Sequence, residues 1–532
     1  MTSRRVLMIL WLVFTVSRAS SVFGANPIIG SVKDTSGATL NGVFISATRE
    51  GATYTVTVFS DDAGQFRFPA LAEGNYTVRA FTPGFRDSVH SKVAVKEGKT
   101  TQLSFSLSEE KDPTALFKQA TAGEWLASLP GSMNVKESVS KDCSGCHHNL
   151  YQIMQHRFTE GDWLKILHVM ENIDAIGVSR PGKPIGSHEF DPNEPGLRFG
   201  SSEEIAAFLA QVQGPNSPIP TIRFQPRPSG KATQAVITEY RIPRENSVPH
   251  DVRLDPEGNV WYNDFKADYI GKLNPKIGEF KEYKLPSKPG RHPGSSHFFV
   301  GEDQNVWVAQ RIAGRVVRFD PKTETVTGMW DNLLLDRVDV ARGVALGVEM
   351  QMDINTDKVL RYKYKGSIAG YRSATDMDSK GIGYRGGIGD SDVKRMNPET
   401  LEVTNYRTPT PESGPRRLCV DWDENVWFGE WFAGQIGKLD VKTGRITEYR
   451  PSVPFAAFYE VCVDKKNRMA WGYDWHNDRM DRVNPATGEV TEYPMPTRDV
   501  ESRRTAVDSS TNPPSIWITG AGNSLIIRLQ AP

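Results

Sequence analysis

The feature that most constrains the fold is an internal repeat in the C-terminal half of the chain. Its clearest copies span residues 249–262 and 414–428, and each continues through an Ile-Gly-Lys-Leu segment to a Glu-Tyr pair. Further copies centre on Trp307, Gly383, Trp471 and Trp517. Spacings of about 40–45 residues, with four strands in each repeat, are typical of a β-propeller.

The order of the repeats predicts how the ring closes. Residues 238–243 match the end of a repeat but precede its first full copy. We therefore expect this segment to supply the last strand of the final blade, whose own sequence stops at Leu529. Counting the copies predicts six blades. The poorly matching stretch 333–370 is either a seventh blade or a long insertion.

The repeats resemble the streptogramin (virginiamycin B) lyase propellers, through segments such as Asn-Val-Trp-Tyr at 259–262 and Ala-Gly-Gln-Ile-Gly-Lys-Leu at 433–439. In that family, histidines in a Pro-His-Gly/Ala context, one preceded by Glu two residues earlier, act with a magnesium ion to open a cyclic ester by elimination. Here only Pro249-His250 matches, and Val248 stands where the Glu would be. The catalytic pair that the resemblance implies is incomplete, and magnesium in the propeller is an alternative.

Alignment of the repeats on tryptophan identifies positions expected around the central channel. The residue eleven positions before Trp261 is His250, and this position should begin the innermost strand of each blade. Its equivalents in later repeats are Ser296 (with His297 adjacent), Arg372, Arg416, Glu460 and Arg504. The residues three positions after the tryptophan, which we expect nearby, are Asp264, Gln310, Glu430 and Asp474.

Such a channel has two interpretations. It is either solvated and salt-bridged, as propeller channels commonly are, or it is an arginine-rich pocket for an anionic ligand or for a metal held by histidine and carboxylates. On the second interpretation, the candidate catalytic residues are His250, Arg416 and Glu460. The expected occupant is a small-molecule substrate or a redox partner protein.

The most specific chemical motif lies upstream of the repeats, at Cys143-Ser144-Gly145-Cys146-His147. Two cysteines separated by two residues and followed by histidine form the attachment site of a c-type haem. Each thiol adds to one vinyl group, and His147 becomes the proximal ligand of the haem iron. We therefore predict one covalently bound haem c.

A zinc site is the alternative, but zinc needs further ligands at short spacing. The other cysteines, Cys419 and Cys462, lie hundreds of residues away, which leaves His148 and His156 as nearby candidates. Cys419 and Cys462 fall on neighbouring inner strands, one position out of register. Alternation along the strands then predicts opposite faces, and so two buried thiols rather than a disulfide.

The segment around the haem motif has a helical pattern. Apolar residues recur at three- and four-residue spacing over 114–128 and 202–213. An early CxxCH and a late amphipathic helix resemble a class I cytochrome c domain, which implies that the last helix packs behind the haem. We expect the Gly- and Pro-rich stretch 180–200 to form an irregular loop over the haem edge.

The sixth ligand of the iron is less constrained by the sequence. A helix capped by Thr159 would place Met170 on the same face as Trp163, so Met170 is the predicted distal ligand. The alternatives are His168, His156 and Met154. A thioether ligand would raise the reduction potential relative to a second histidine.

The N-terminal segment has short β-rich runs about ten residues apart, which predict a small β-sandwich. The predicted strands are Ile28–Val32, Val43–Thr48, Tyr54–Phe59, Gln65–Pro69, Tyr76–Ala80 and Gln102–Leu107. Segments 30–34, 62–66 and 74–78 resemble the carboxypeptidase regulatory-like domain. That resemblance implies a seven-stranded, transthyretin-like sandwich without catalysis, which serves in spacing or attachment, with a glycan or the cell surface as candidate partner.

The first residues of the chain have the form of a secretory signal peptide. Arg4 and Arg5 precede an apolar run from Val6 to Val16, and small residues follow near Ala25. The run is short for a membrane span, so we expect a periplasmic or secreted protein without a span after cleavage; an uncleaved anchor is the alternative. Basic and acidic residues number 64 each, which gives no global attraction to nucleic acid.

The sequence as a whole predicts a mainly β, multidomain protein. Its predicted parts are a signal peptide (1–25), a carboxypeptidase regulatory-like β-sandwich (26–110), a small all-α cytochrome c-like haem domain (111–215), a linker (216–234) and a lyase-like β-propeller (235–532). The leading hypothesis is an exported electron-transfer protein or haem-dependent oxidoreductase. The alternatives are a streptogramin lyase-like C–O lyase with an appended haem domain, and a non-enzymatic surface- or carbohydrate-binding protein.

Overall fold

The computed structural model describes residues 27–144, 150–171, 199–301, 303–310, 313–333, 337–339, 342–347, 349–368, 375–389 and 391–532. Several sequence predictions fall outside these ranges. They are the signal peptide, Cys146 and His147 of the CxxCH motif, His148, Arg372, and the predicted loop over the haem edge except for its last two residues.

Seven strands form the N-terminal β-sandwich: β1 Ile28–Asp34, β2 Phe44–Arg49, β3 Tyr54–Phe59, β4 Gln65–Arg67, β5 Gly74–Phe81, β6 Ser88–Val95 and β7 Thr101–Leu107. One sheet has the order β4-β1-β7, and the other contains β3-β2-β5-β6. Alternation along β5 buries Tyr76, Val78 and Ala80 in the core between the sheets. Sequence patterning missed β6 because most of its side chains are partly or fully exposed.

Six α-helices lie in the described part of the segment that follows: α1 Pro113–Gln119, α2 Ala122–Ser128, α3 Met133–Ser138, α4 Tyr151–Gln155, α5 Glu160–Glu171 and α6 Ser202–Gln213. The single helix expected over 114–128 is two helices, because Thr121 caps α2. Its hydroxyl accepts from the Glu124 N–H while the Glu124 carboxylate accepts from the Thr121 N–H. Within the described ranges, no helix has the length and apolarity needed to cross a membrane.

The C-terminal part consists of seven four-stranded sheets arranged as successive blades. After the short 3-10 helix Gly230–Gln234, its strands are β8 Val236–Arg241; β9 Pro249–Leu254, β10 Val260–Asp264, β11 Tyr269–Asn274, β12 Glu279–Lys284; β13 His297–Val300, β14 Val306–Gln310, β15 Arg315–Asp320, β16 Thr325–Asp331; β17 Arg337–Asp339, β18 Val344–Gly347, β19 Met350–Asp353, β20 Val359–Arg361; β21 Thr375–Met377, β22 Gly383–Gly387, β23 Asp392–Met396, β24 Val403–Arg407; β25 Pro415–Val420, β26 Val426–Glu430, β27 Gln435–Leu439, β28 Ile446–Tyr449; β29 Phe458–Asp464, β30 Met469–Asp474, β31 Arg479–Val483, β32 Val490–Pro494; and β33 Thr505–Asp508, β34 Ser515–Gly520, β35 Leu525–Gln530.

The seventh sheet closes as the sequence predicts. β8, from the start of the propeller, pairs antiparallel with β35 from its end, with Thr238 opposite Arg528 and Tyr240 opposite Ile526. The other edge of β8 pairs with β3, so one sandwich sheet and the closing blade form a single eight-stranded sheet. This pairing covers an edge that would otherwise be open to other chains.

The ring has seven blades rather than the six counted copies: of the two alternatives for the stretch 333–370, the seventh blade is the correct one, because the stretch contains the sheet β17–β20. This blade escaped detection because its second strand has no tryptophan. The small residue Ala345 is buried there instead and, with Met352, packs in one cluster with Trp307 of the preceding blade.

Two of the tryptophans that mark the repeat, Trp261 and Trp427, are held by aspartates in the first turn of their blades. Asp255 accepts a hydrogen bond from Trp261 Nε1 at 3.1 Å, and Asp421 accepts one from Trp427 Nε1 at 2.9 Å. The same carboxylates accept backbone N–H groups of the turn. The repeated spacing of Asp and Trp is therefore a folding feature of the blade rather than a functional site.

Candidate functional site

Three innermost strands carry a β-bulge, at which two successive residues oppose one residue of the next strand. In β9 the two residues are His250 and Asp251, which lie between the pairs Pro249–Asp264 and Val252–Tyr262. Equivalent bulges occur at Arg416-Arg417 in β25 and at Tyr459-Glu460 in β29. A bulge turns side chains out of strict alternation. Both residues of each pair are buried here.

Asp251 is the centre of a charged network that we call the channel cluster, formed by His250, Asp251, His297, Arg417, Glu460 and Arg504. Its Oδ1 lies 2.7 Å from His250 Nδ1, and its Oδ2 lies 3.0 Å from His297 Nδ1. Arg417 Nη1 lies 3.4 Å from Oδ1, and Arg504 Nη1 lies 3.6 Å from Oδ2. Residues from or next to the first strands of five blades meet here, which places the cluster at the centre of the ring.

Arg504 joins the second acidic residue to this network. Its Nε lies 3.0 Å from Glu460 Oε1, and the other oxygen of Glu460 accepts from the Thr505 N–H at 2.8 Å. Burial raises the pKa of Glu460 from its ordinary value, against the lowering effect of Arg504 and Arg417. The structure thus brings His250 and Glu460, two of the three predicted catalytic residues, into one network.

The third predicted residue, Arg416, lies beside the cluster rather than inside it. Its guanidinium is 3.9 Å from the ring centre of Tyr459 and 4.7 Å from that of Trp431. Arg417 lies over the same tyrosine at 4.8 Å. Two stacked guanidinium groups on one aromatic ring concentrate positive charge at this side of the channel.

The two histidines of the cluster are neutral bases at neutral pH. Burial lowers the pKa of His250 to about 3 and that of His297 well below its ordinary value. Although burial raises the pKa of Asp251, the attraction of His297 and hydrogen bonds from both imidazoles outweigh it and hold that pKa well below its ordinary value. An ionised carboxylate only accepts, so each Nδ1 carries the proton and each Nε2 presents a lone pair. His297 Nε2 is buried without a hydrogen-bond partner among the described residues.

The residues three positions after the tryptophans lie at the same end of the blades, but their bonds go to local loops. Asp264 accepts from Arg244 Nη2 and from the Val248 N–H, at 2.5 and 3.1 Å. Asp474 accepts from the N–H groups of Ala457 and His476. Gln310 donates to Asp268 and Pro286, and Glu430 accepts from Gln435. They support the blade connections.

Asp251 and Arg417 were missed by the sequence analysis, although both adjoin a predicted residue. Alignment on tryptophan selects one position per blade. A bulge that exposes two successive residues to the same cluster leaves no periodic trace in a single sequence. The signal available in the sequence was a proline followed by two polar side chains, in Pro-His-Asp at 249–251 and in Pro-Arg-Arg at 415–417.

The first cysteine of the haem motif lies in the apolar core of the helical segment. Cys143 ends the π-helical turn Val139–Cys143 and is 7% exposed. Its core cluster includes Trp163 and Leu167 of α5 and Leu209 of α6. The amphipathic helix predicted at 202–213 therefore packs into the same core as Cys143.

The candidate distal ligands differ in their exposure. Thr159 precedes α5 and accepts from the Asp162 N–H, as a cap does. On that helix Met170 is half-buried whereas His168 is exposed. Met154 is buried in the helical core and His156 is exposed. Of the four candidates, Met154 and Met170 are thus more buried than His156 and His168.

The helical segment contacts the propeller through hydrogen bonds. Tyr151 Oη donates to Asp478 Oδ2 at 2.6 Å, and the Gly123 N–H donates to the His476 carbonyl at 2.7 Å. A Cβ at Gly123 would lie 2.2 Å from Asn477 Oδ1, so only glycine permits this approach. Burial, helped by the negative charge of Asp478, raises the pKa of Tyr151 well above its ordinary value.

Cys419 and Cys462 are free thiols, as predicted, but the reason given by their apparent register is wrong. Cys419 lies opposite Trp427 and Cys462 lies opposite Trp471, so the two occupy equivalent positions of their blades. The hairpin between the first two strands is one residue longer in the blade of Cys462 than in the blade of Cys419, and this difference produced the apparent offset. Burial raises the pKa of Cys419 to about 12.

Among the described residues, no group of three or more His, Cys, Asp or Glu side chains is placed to hold a metal ion. In the channel cluster, arginines stand where further oxygen or nitrogen ligands would be needed. The chemistry of this donor set favours an anion over a cation such as magnesium.

Two family models match parts of the chain. Residues 27–108 match the carboxypeptidase regulatory-like domain, and residues 390–527 match the virginiamycin B lyase family. The chain thus has an N-terminal domain of the first kind and a C-terminal propeller that is virginiamycin B lyase-like. No curated protein matches the chain.

Two solved structures illustrate the similarity. Virginiamycin B lyase from Staphylococcus aureus is 20% identical with a TM-score of 0.45, and the alignment covers 56% of this chain and 100% of that one. A streptogramin B lyase is 18% identical with a TM-score of 0.47, and the alignment covers 57% of this chain and 100% of that one. At this level of similarity neither structure carries an argument about activity.

Proposed function

We propose that this protein is an exported c-type cytochrome whose helical segment transfers electrons and whose propeller binds an anionic substrate or a redox partner. The observation that carries the proposal is the Cys143–His147 motif, whose spacing matches the two vinyl groups and the axial position of a haem. The basic and apolar start of the chain supports export to a compartment where such haem is attached.

The described residues of the helical segment fit a buried prosthetic group. Cys143 has an apolar surrounding that would keep water from a haem. Trp125 Nε1, Trp163 Nε1 and Gln213 Oε1 are buried there without hydrogen-bond partners among the described residues. Buried polar atoms without partners are costly. The propionates of a haem would accept from the two indole N–H groups.

Each residue of the motif has a distinct role under this proposal. The thiols of Cys143 and Cys146 anchor the macrocycle, and His147 binds the iron from the proximal side. Met170 is our proposed distal ligand, with Met154 as the alternative. Bound haem supplies a reversible one-electron carrier. The apolar core around Cys143 then keeps the reduced and oxidised forms out of water.

The channel cluster supports the second half of the proposal. It combines two neutral imidazoles with several arginines. Asp251 binds the Nδ1 of each imidazole, which leaves the lone pair of each Nε2 unused by this carboxylate. Such a site binds an anion through the guanidinium groups and offers the imidazole lone pairs of His250 and His297 as hydrogen-bond acceptors. The N-terminal sandwich shares a sheet with the closing blade, and we assign it a spacing or attachment role.

The test is the absorption spectrum of the full chain produced with export and haem attachment. The wild type should show a reducible c-type band, and Cys143→Ser plus Cys146→Ser should abolish it. The matched control is Cys419→Ser plus Cys462→Ser, which should leave the band unchanged. A wild type without the band, or a band that survives loss of Cys143 and Cys146, would overturn the proposal.

A second candidate function is a streptogramin-type lyase. The observations that favour it are the family match over residues 390–527 and the orientation of His250 by Asp251. This function predicts a magnesium-dependent ring opening of a streptogramin that disappears in His250→Ala. Ring opening that persists in His250→Ala would move the reaction away from the channel cluster.

A further inference from the structure

The loop that follows β30 contacts the helical segment through three successive residues. The His476 carbonyl accepts the Gly123 N–H at 2.7 Å, and the Asn477 side chain packs against the same glycine. Asp478 then accepts from Tyr151 Oη at 2.6 Å. Through this loop the propeller places polar groups, one of them a carboxylate, directly against the helices.

Asp478 is a fully buried carboxylate that accepts four hydrogen bonds. Its Oδ2 accepts from Tyr151 Oη at 2.6 Å and from the Asp499 N–H at 2.9 Å. Its Oδ1 accepts from Tyr473 Oη at 3.0 Å and from the Val500 N–H at 3.1 Å. Hydrogen bonds to the charged form of a carboxyl favour that form. Four donors around one carboxyl group therefore describe an ionised side chain.

The negative charge of Asp478 is only partly balanced. Burial raises the pKa of Asp478 from its ordinary value, and the positive charge of Arg498 acts against that rise together with the hydrogen bonds. Arg498 itself donates to the carbonyl of Gln119 at 3.2 Å and to that of Met495 at 3.4 Å. Its guanidinium is thus hydrogen-bonded to carbonyl groups rather than to the carboxylate.

The tyrosine that binds Asp478 lies in the core that contains the first cysteine of the haem motif. Tyr151 begins α4, four positions after His147, the proposed proximal ligand. Tyr151 and Cys143 are buried in one apolar cluster. A charge beside an apolar core acts strongly, because a low dielectric screens it little. The charge and burial around a haem are among the factors that set its reduction potential.

We propose that Asp478, a residue of the propeller, lowers the reduction potential of the haem that the helical segment would carry. The inference rests on the proposed function, because only a haem in this core gives a couple to adjust. The carboxylate stabilises the additional positive charge of the oxidised form. Tyr151 and Tyr473 hold the carboxylate in place, and Arg498 acts in the opposite direction. The propeller thereby sets the ease with which the helical segment accepts an electron.

Spectroelectrochemical titration of the full haem-bearing chain tests this role. At a fixed solution potential, Asp478→Asn should raise the ratio of reduced to oxidised haem about tenfold, which corresponds to about 59 mV for a one-electron couple. Arg498→Gln should lower the same ratio a few fold, because it removes the opposing charge. Glu203→Gln removes an exposed carboxylate of α6 that water screens, so this matched control should leave the ratio unchanged.

Tyr151→Phe separates the effect of charge from that of the contact. It removes the hydrogen bond between the helical segment and the propeller but keeps the carboxylate of Asp478. The ratio should therefore change far less than in Asp478→Asn. Equal increases in the two variants would show that a loosened contact, and not the charge, sets the potential.

The outcomes distinguish this inference from the proposed function. A wild type without a c-type band contradicts the proposed function. A normal band with an unchanged or lower ratio in Asp478→Asn overturns the role of Asp478 alone. If Asp478→Asn does not fold, the sign of the change in Arg498→Gln decides, because an unchanged or higher ratio there would also refute an electrostatic role.

Discussion

The channel cluster and the core of the helical segment bury reactive side chains in opposite ways. In the channel, Asp251 is surrounded by two imidazoles and two guanidinium groups, and charge holds the site together. Around Cys143, the partners are apolar side chains of α5 and α6. The first environment fixes protonation states and suits anion binding, whereas the second is an apolar core that excludes water. The two regions therefore supply different chemistry to one protein.

The largest expected effect is on the stability of the channel. Asp251→Asn leaves Arg417 and Arg504 without their shared carboxylate, and breaking a buried charge network typically costs about 3–5 kcal/mol. We expect the urea midpoint followed by tryptophan fluorescence to fall accordingly. Asp357→Asn, at an exposed turn, is the control and should change the midpoint little. Equal midpoints for Asp251→Asn and the wild type would show that charge does not hold the channel.

A second prediction concerns pH. The folded pKa of His250 is about 3, below the value of about 6.5 expected in the unfolded chain. The contribution of neutral His250 to the free energy of unfolding is therefore complete above pH 6.5. It is lost as the pH falls towards 3, and about 2 kcal/mol of it is lost at pH 5. His250→Gln removes this loss, so its destabilisation relative to wild type should be about 2 kcal/mol smaller at pH 5 than at pH 7.

The comparison with a variant is needed because Glu460, in the same cluster, has a raised pKa and an opposite pH dependence. That contribution is present in both proteins and cancels between them, as do those of His297, Arg417 and Arg504. Asp251 loses the hydrogen bond from His250 in the variant, but its pKa lies well below both pH values. Chemical unfolding at the two pH values supplies the measurement. If His250→Gln destabilised the protein by the same amount at pH 5 and at pH 7, His250 would not be buried as a neutral base.

The smallest effect is expected at the contact between the helical segment and the propeller. Tyr151→Phe removes the hydrogen bond to Asp478, which is worth about 1–2 kcal/mol. Amide exchange in α2 and α4 should then accelerate about tenfold. Tyr76→Phe loses a comparable bond inside the sandwich and should leave that exchange unchanged. Equal exchange in Tyr151→Phe and wild type would mean that the segment is held by its apolar contacts.

The sequence and the structure agree best where a pattern is local. The closing strand at 238–243, the cap at Thr159 and the amphipathic helix at 202–213 depend on neighbouring residues, and all three are observed. The blade at β17–β20 remained one of two alternatives because Ala345 replaces the tryptophan on which the alignment relied.

The two candidate sites were predictable to different degrees for a physical reason. A CxxCH motif is contiguous in sequence, because both thiols and the histidine of a haem-attachment site must reach one macrocycle from one turn of chain. The channel cluster joins residues separated by up to 254 positions, from His250 to Arg504. Ring closure and the bulges bring them together, so periodicity identified His250 and Glu460 but missed Asp251 and Arg417.

The central claim is that the helical segment carries a covalent haem, and intact mass under denaturing conditions tests it most directly. We expect a chain heavier than the processed polypeptide by one haem, with the added mass absent after Cys143→Ser plus Cys146→Ser. A chain with the mass of the polypeptide alone, produced beside a control cytochrome that acquires its haem, would contradict it.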